Sequence, residues 1–362
     1  MNFLLIAAVG LLSFANGAND NFKGVATLWG AGRTGYKRAL AWATLFTFLG
    51  SLAAVWTASG LAAKFNGSKL VGAEISKQLP FLAAVALAAA ASVLLASRLG
   101  LPVSTTHALT GALVGAGIAA AGFRHIKFAS LAGGVVAPLL FSPLAALGLT
   151  LAIYPLVTKL AGGRDCICVD EPAMVRLAPG GTAAGDILSA TPALRWAPAA
   201  ECQTGEEVLR VSLTDALHWL SGAAISFARG LNDTPKITAV LLILPVAAGI
   251  KTNYLLVALV MATGGLLGAA RVAKTMSKQI TPMAAPEAVS ANLVAAMLVT
   301  LASRLALPVS TTHVTSGGLF GIGLLRRKEA DWHRVRDILL AWLGTLPVGA
   351  ALAVLLYRLL RQ

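Results

Sequence analysis

Two aspartates lie in the middle of long apolar stretches, and each belongs to a repeated group. Asn19-Asp20 is followed three residues later by Lys23, and Asn232-Asp233 by Lys236. An ionisable residue in an apolar run of membrane length is costly and marks a functional position. Residues three apart share a helix face, so each lysine stands beside its aspartate. That pairing has two uses: an internal ion pair that makes the carboxylate tolerable, or an ammonium offered to an anionic substrate. Gly17 and Gly230 precede the pairs and Pro235 follows the second. These residues predict a helix break that frees backbone groups to line a cavity. The plainer role for each aspartate is to cap a half-helix.

A second group is also doubled. Pro102-Val103-Ser104-Thr105-Thr106-His107 and Pro308-Val309-Ser310-Thr311-Thr312-His313 each open an apolar, glycine-rich run. A helix N-terminus offers unpaired amides and a positive dipole end, and three hydroxyls add donors. Together they form a cradle for a tetrahedral oxyanion that needs no metal or cofactor. A single copy would suit ordinary serine capping behind a proline. His107 and His313 are weaker candidates as proton carriers, beside Asp20, Asp233, Lys23 and Lys236. A serine–histidine hydrolase needs one asymmetric nucleophile–base pair, and here every candidate is duplicated. The chain is therefore not read as an enzyme. Gly111-x-x-x-Gly115 and Gly317-x-x-x-Gly321 predict close helix packing. Arg98 and Arg304 read as interfacial, their stems buried and their heads in water. Arg229 stands where the first copy has Asn16, as a substrate ligand or a gate charge.

The elements that position these groups follow from the repeat. The first group recurs at an offset of 213 residues and the second, from Leu95 to His107, at an offset of 206. The chain thus divides into a first membrane repeat (1–160), a polar linker (161–212) and a second membrane repeat (213–362). Apolar units fall at roughly 2–31, 38–63, 80–97, 103–122 and 128–158, then 213–248, 252–272, 285–303, 308–325 and 333–357. Five is odd, so the second half enters from the opposite side. The expected fold is an all-α polytopic membrane protein of two inverted-topology repeats, with broken or re-entrant helices at their interface. Met1–Gly17 lacks a basic leader and reads as the first half of a membrane helix, not a cleaved signal.

Composition agrees. The 362 residues are 57% hydrophobic and 12% charged, about half the charge of a soluble chain; the mean hydropathy is +0.77. The net charge of +14 would suggest nucleic acid in a soluble protein, but in this composition it belongs to membrane-flanking loops, and no nucleic-acid partner is expected. The linker holds four arginines against seven acidic residues and is expected to be a solvated loop with little packed structure. Its cysteines, Cys166, Cys168 and Cys202, give no zinc site and, being odd in number, no disulfide framework. Basic residues gather around Arg33, Lys37 and Arg38, around Arg271, Lys274 and Lys278, and from Arg326 to Arg336. Their excess places that side and the linker in the cytoplasm, with both termini outside.

The paired Gly-x-Asn-Asp and Pro-Val-Ser-Thr-Thr-His motifs, in this order and over both membrane halves, resemble the inorganic phosphate transporter (PiT) family. The resemblance implies an ion-coupled symporter, commonly a homodimer, here expected in a bacterial inner membrane. It moves phosphate, or in some bacterial relatives sulfate, with sodium or protons. It also implies Asn19, Asp20, Ser104, Thr105, Thr106, Asn232, Asp233, Ser310, Thr311 and Thr312 as substrate ligands, to which Lys23 and Lys236 are added as candidates. The family pattern ends in Asn where Lys23 and Lys236 stand. A tethered ammonium at a cation position favours protons over sodium as the coupling ion. A passive anion channel is the alternative of another class, separated by whether uptake depends on an ion gradient.

Overall fold

The computed structural model describes residues 1–57, 59–161, 166–170, 193–197, 207–241 and 249–362. Each apolar unit contributes one long helix. The first half holds α1 (Asn2–Asp20), α2 (Tyr36–Thr57), α3 (Leu79–Arg98), α4 (Thr105–Ala121) and α5 (Ala137–Ala161). The second holds α6 (Leu213–Thr238), α7 (Gly249–Gly268), α8 (Ala285–Arg304), α9 (Thr311–Leu325) and α10 (Trp332–Leu360). Among the described residues, seven helical stretches are long and apolar enough to cross a membrane. The chain is a multi-pass, helical membrane protein.

The halves interlace. Helix α1 packs between α3 and α7, and α6 between α8 and α2; α10 lies on α3 and α4, and α5 on α8 and α9. Exchanging the halves maps each of these contacts onto another. Small residues permit the crossings, because lipid-like interiors reward close backbone approach. A methyl group at Gly17 would strike the Met261 carbonyl of α7, and one at Gly230 the Thr47 carbonyl of α2. The predicted close packing at Gly111 and Gly317 is found too: Gly111 faces the Leu346 carbonyl and Gly317 the Pro143 carbonyl.

The glycines therefore do not break the helices as expected. Helix α1 runs through Gly17 to Asp20, and α6 runs unbroken through Gly230 and Pro235 to Thr238. The reason is packing: these glycines face a neighbouring backbone rather than a cavity. An interruption does occur in the first copy, just downstream, as a 3-10 turn at Lys23–Val25 followed by a short helix, Ala26–Gly30.

Helices α3 and α4 form one hairpin, α8 and α9 another. Each second arm starts with a serine cap: Ser104 Oγ accepts from the His107 amide at 3.1 Å and Ser310 Oγ from the His313 amide at 3.2 Å. Glu287 and Arg326 join the open ends of the second hairpin at 2.8 Å.

The linker departs from its expected form. Among its described residues are three short strands, β1 (Cys166–Asp170), β2 (Ala193–Ala197) and β3 (Glu207–Ser212), in an antiparallel sheet of order β2-β1-β3. Alternating patterns such as Cys-Ile-Cys-Val and Glu-Val-Leu-Arg-Val account for it. Cys166 is buried and free, whereas Cys168 is disulfide-bonded, so the odd count did not exclude a disulfide. Cys202 lies outside the described residues.

Candidate functional site

The end of α1, the C-terminal third of α6 and the two hairpin tips meet in one buried polar network. In the first copy, Lys23 Nζ donates to Asn19 Oδ1 at 2.8 Å, to the Val103 carbonyl at 2.9 Å and to Thr312 Oγ1 at 2.6 Å. It also pairs closely with Asp20. In the second copy, Lys236 Nζ donates to the Val309 carbonyl at 2.7 Å, to Thr106 Oγ1 at 2.8 Å and to Asp233 Oδ1 at 3.5 Å. Each lysine thus reaches a threonine of the opposite half. Lys23, Lys236, Asp20 and Asp233 are each 3% exposed or less.

The asparagines pin the hairpin tips. Asn19 Nδ2 donates to Ser97 Oγ at 2.9 Å and to the Leu101 carbonyl at 3.0 Å, while its Oδ1 accepts from the Val103 amide at 3.1 Å. Asn232 does the same work in the second half, donating to the Val309 carbonyl at 3.2 Å and accepting from Ser303 Oγ at 3.2 Å. Thr105 Oγ1 donates to Asp20 at 3.1 Å and Thr311 Oγ1 to Asp233 at 3.4 Å. All twelve predicted substrate-site residues are therefore gathered at the tips. Ser104 and Ser310 are there as helix caps, with the hydroxyl hydrogen left over to donate.

The histidines sit one turn deeper and face each other, ring centroids 4.4 Å apart. Their Nδ1 atoms approach the Trp342 and Leu139 carbonyls at 3.3 and 3.2 Å. Each therefore has the carbonyl partner expected of a structural histidine. That arrangement is the plainer of the two roles read from the sequence.

Arg229 finds its place in the same network. Its guanidinium donates to Asn16 Oδ1 at 2.6 Å, to Asn21 Oδ1 at 3.3 Å and to Thr47 Oγ1 at 3.3 Å, and its Nε lies 3.7 Å from Asp233. Asn16 in turn donates to Asp20 at 2.8 Å, Thr105 at 3.0 Å and Asp233 at 3.4 Å. Asn16 is thus the hub between the copies, and sequence reasoning passed over it. Asn16 and Arg229 are equivalent positions of the repeat, and they bond one another. That is how positions close to a pseudo-two-fold axis behave, and the mismatch between Asn and Arg was the available signal.

Three buried cations (Lys23, Lys236, Arg229) face two buried carboxylates (Asp20, Asp233). With all five in their ordinary charge states, the described network carries one positive charge in excess. A buried charge of this kind needs a counter-charge, and two helix N-termini rich in hydroxyls are the geometry that holds an oxyanion.

Comparison with known proteins points the same way. The model of the phosphate transporter family matches residues 16–353. A probable low-affinity inorganic phosphate transporter of Bacillus subtilis is 25% identical over 371 residues, covering 100% of this chain and 98% of that one. Sodium-dependent phosphate transporter 1-A of Danio rerio is 41% identical over 100 residues, 26% of this chain and 15% of that one. A solved structure described as the sodium-dependent phosphate transporter has the same fold. Its TM-score is 0.77 at 19% identity, over 99% of this chain and 98% of that one. With the family model spanning both membrane halves, the chain belongs to the phosphate transporter family.

Proposed function

We propose that the chain is a secondary transporter that carries inorganic phosphate through the site between the hairpin tips, coupled to protons. The observation that carries this is the buried excess of one positive charge beneath two hydroxyl-capped helix starts. Phosphate suits the site better than sulfate. Asp20 and Asp233 are acceptors, and only phosphate keeps a P–OH proton to give them near neutral pH. The halves 1–160 and 213–362 act as inverted repeats, supported by contacts that recur when the halves are exchanged.

Coupling follows from the lysines. Asn19 Oδ1, an Asp20 oxygen, the Val103 carbonyl and Thr312 Oγ1 surround the Lys23 ammonium. Carboxylate, amide, carbonyl and hydroxyl oxygens are the donors a hard cation selects. The tethered ammonium fills such a cage, which leaves sodium nothing to neutralise. Protonation of Asp20, Asp233 or a lysine then accompanies the anion. Sodium is named for two of the similar proteins and is the competing reading. The protein sits in a bacterial cell membrane, as a homodimer, with the Arg33 side inward by its excess of basic residues.

The test is uptake of labelled phosphate into proteoliposomes under imposed proton or sodium gradients, with labelled sulfate in parallel. A proton gradient alone should drive accumulation. The Lys23→Asn plus Lys236→Asn variant should lose that response and gain a sodium dependence. Strict sodium dependence of the unmodified protein, with no response to a pH gradient, overturns the coupling, and uptake indifferent to any gradient identifies a channel.

A further inference from the structure

Among the described residues, a polar path leaves the site on one side only. Lys23, Thr27, Asn292 and Thr315 line a hollow of about 10 Å³ among apolar neighbours, roughly the space of one water molecule. Thr27, on the short helix after Lys23, accepts from Asn292 Nδ2 at 2.9 Å. Its Oγ1 also lies 3.0 Å from Nε2 of His218 on α6. His218 is fully buried, and its Nδ1 has no hydrogen-bond partner. Asp215 lies three residues earlier, on the same helix face. It is 36% exposed and pairs with Arg33 at 3.2 Å. These groups thus lie in order between Lys23, at the hollow, and the surface that carries Arg33 and the end of the linker.

Among the described residues, the other half has no such path. Applying the repeat offsets, His218 corresponds to Leu5, Thr27 to Val240 and Asn292 to Ala86, all three fully buried in apolar packing. Structural capping or helix packing would not call for a histidine, a threonine and an asparagine together in one copy alone. Other charged groups at this end are engaged: Lys278 donates to the Trp29 carbonyl at 2.7 Å and Glu287 is held by Arg326. Lys23 stands at the inner end of the path, with the Arg33–Asp215 pair at its outer end.

We infer that Thr27 and His218 are a one-sided proton relay that discharges Lys23 to the Arg33–Asp215 face; this rests on the proton-coupled reading above. Lys23 gives a proton to water in the hollow, and that water passes one to Thr27 Oγ1. The Thr27 hydroxyl proton moves to His218 Nε2, and the Nδ1 proton leaves towards Asp215. The water, the Thr27 hydroxyl and the His218 ring each gain one proton and lose one, the ring ending in its other tautomer. The half-exposed Asp215 passes the proton on to solvent, so Lys23 alone ends changed in charge. Thr27 and His218 lie outside the anion cradle, so their loss should impair proton delivery while leaving phosphate binding in place.

The experiment compares two assays in proteoliposomes: pH-gradient-driven accumulation of phosphate, and exchange of labelled for unlabelled phosphate with no gradient. His218→Leu and Thr27→Val install the residues of the other half. Removing a positioned proton carrier should slow gradient-driven accumulation by at least about tenfold, with exchange retained. His218→Gln keeps a hydrogen-bonding partner for Thr27 but cannot relay, and should behave as His218→Leu does; it decides the matter if the leucine variant does not fold. A glutamine variant that still accumulates phosphate on a pH gradient overturns the relay while leaving proton coupling intact. An unmodified protein that ignores the pH gradient overturns both.

Discussion

The two copies of the Asn-Asp-x-x-Lys group are nearly the same in sequence and different in electrostatics. Asp20 is held closely by one cation, Lys23, and accepts from Asn16 and Thr105. Asp233 is shared between two cations at longer range, Lys236 at 3.5 Å and Arg229 at 3.7 Å. The departure from the repeat that adds a cation is Asn16 against Arg229. Each copy contributes one Asp–Lys pair, and Arg229 adds a third cation that the first copy does not have.

The largest expected effect tests whether the copies differ in this way. Removing one carboxylate from a buried pair strands a charge, at a cost of roughly 3–5 kcal/mol. Asp20→Asn and Asp233→Asn should both lower thermal stability in detergent by such amounts. Rescue should separate them. Arg229→Asn removes the cation that shares Asp233, so it should recover much of the Asp233→Asn loss and little of the Asp20→Asn loss. Equal rescue of both would mean that the two copies form one undivided charge cluster.

Arg229→Asn alone makes the site symmetric and neutral. Hydrogen bonds to charged groups contribute about 1.5–3 kcal/mol, so phosphate binding should weaken by about ten- to a hundredfold. Binding of labelled phosphate to purified protein measures it. Unchanged affinity would reassign Arg229 to holding α6 against Asn16, Asn21 and Thr47.

Much of this site was legible because it was written twice. Asn19, Asp20, Ser104 and their counterparts stood out through repetition, which single positions do not offer. Asn16 was not legible, since its repeat partner is an arginine and its importance comes from meeting that partner across the axis. Gly17 and Gly230 were misread for a physical reason: a glycine that permits a break and one that permits contact look alike until the neighbouring helix is placed. The linker sheet was missed because its strands are short and lie in a polar, proline-rich stretch. His218 and Thr27 were invisible to any argument from duplication, because they occur in one copy only.

The smallest expected effect lies in the hairpin tips themselves. Gly100 and Ala306 are equivalent positions, and both are in the left-handed region, at φ +71° and +51°. Ala306 is the one non-glycine with positive φ among the described residues. Its Cβ crowds the following carbonyl there, which costs on the order of 1 kcal/mol. The first tip is relaxed and the second strained, although they carry the same Pro-Val-Ser-Thr-Thr-His run. Ala306→Gly should therefore raise stability by about that amount, and Gly100→Ala should lower it by about the same. The room beside Gly100 admits a methyl, with Thr275 Oγ1 at 3.4 Å, so a clash would not mask the backbone term. Thermal unfolding of the two variants in one detergent gives the comparison. Shifts of opposite sign confirm that the backbone at the tips distinguishes the hairpins, and shifts of the same sign would place the difference in the Glu287–Arg326 clamp, which closes the second hairpin.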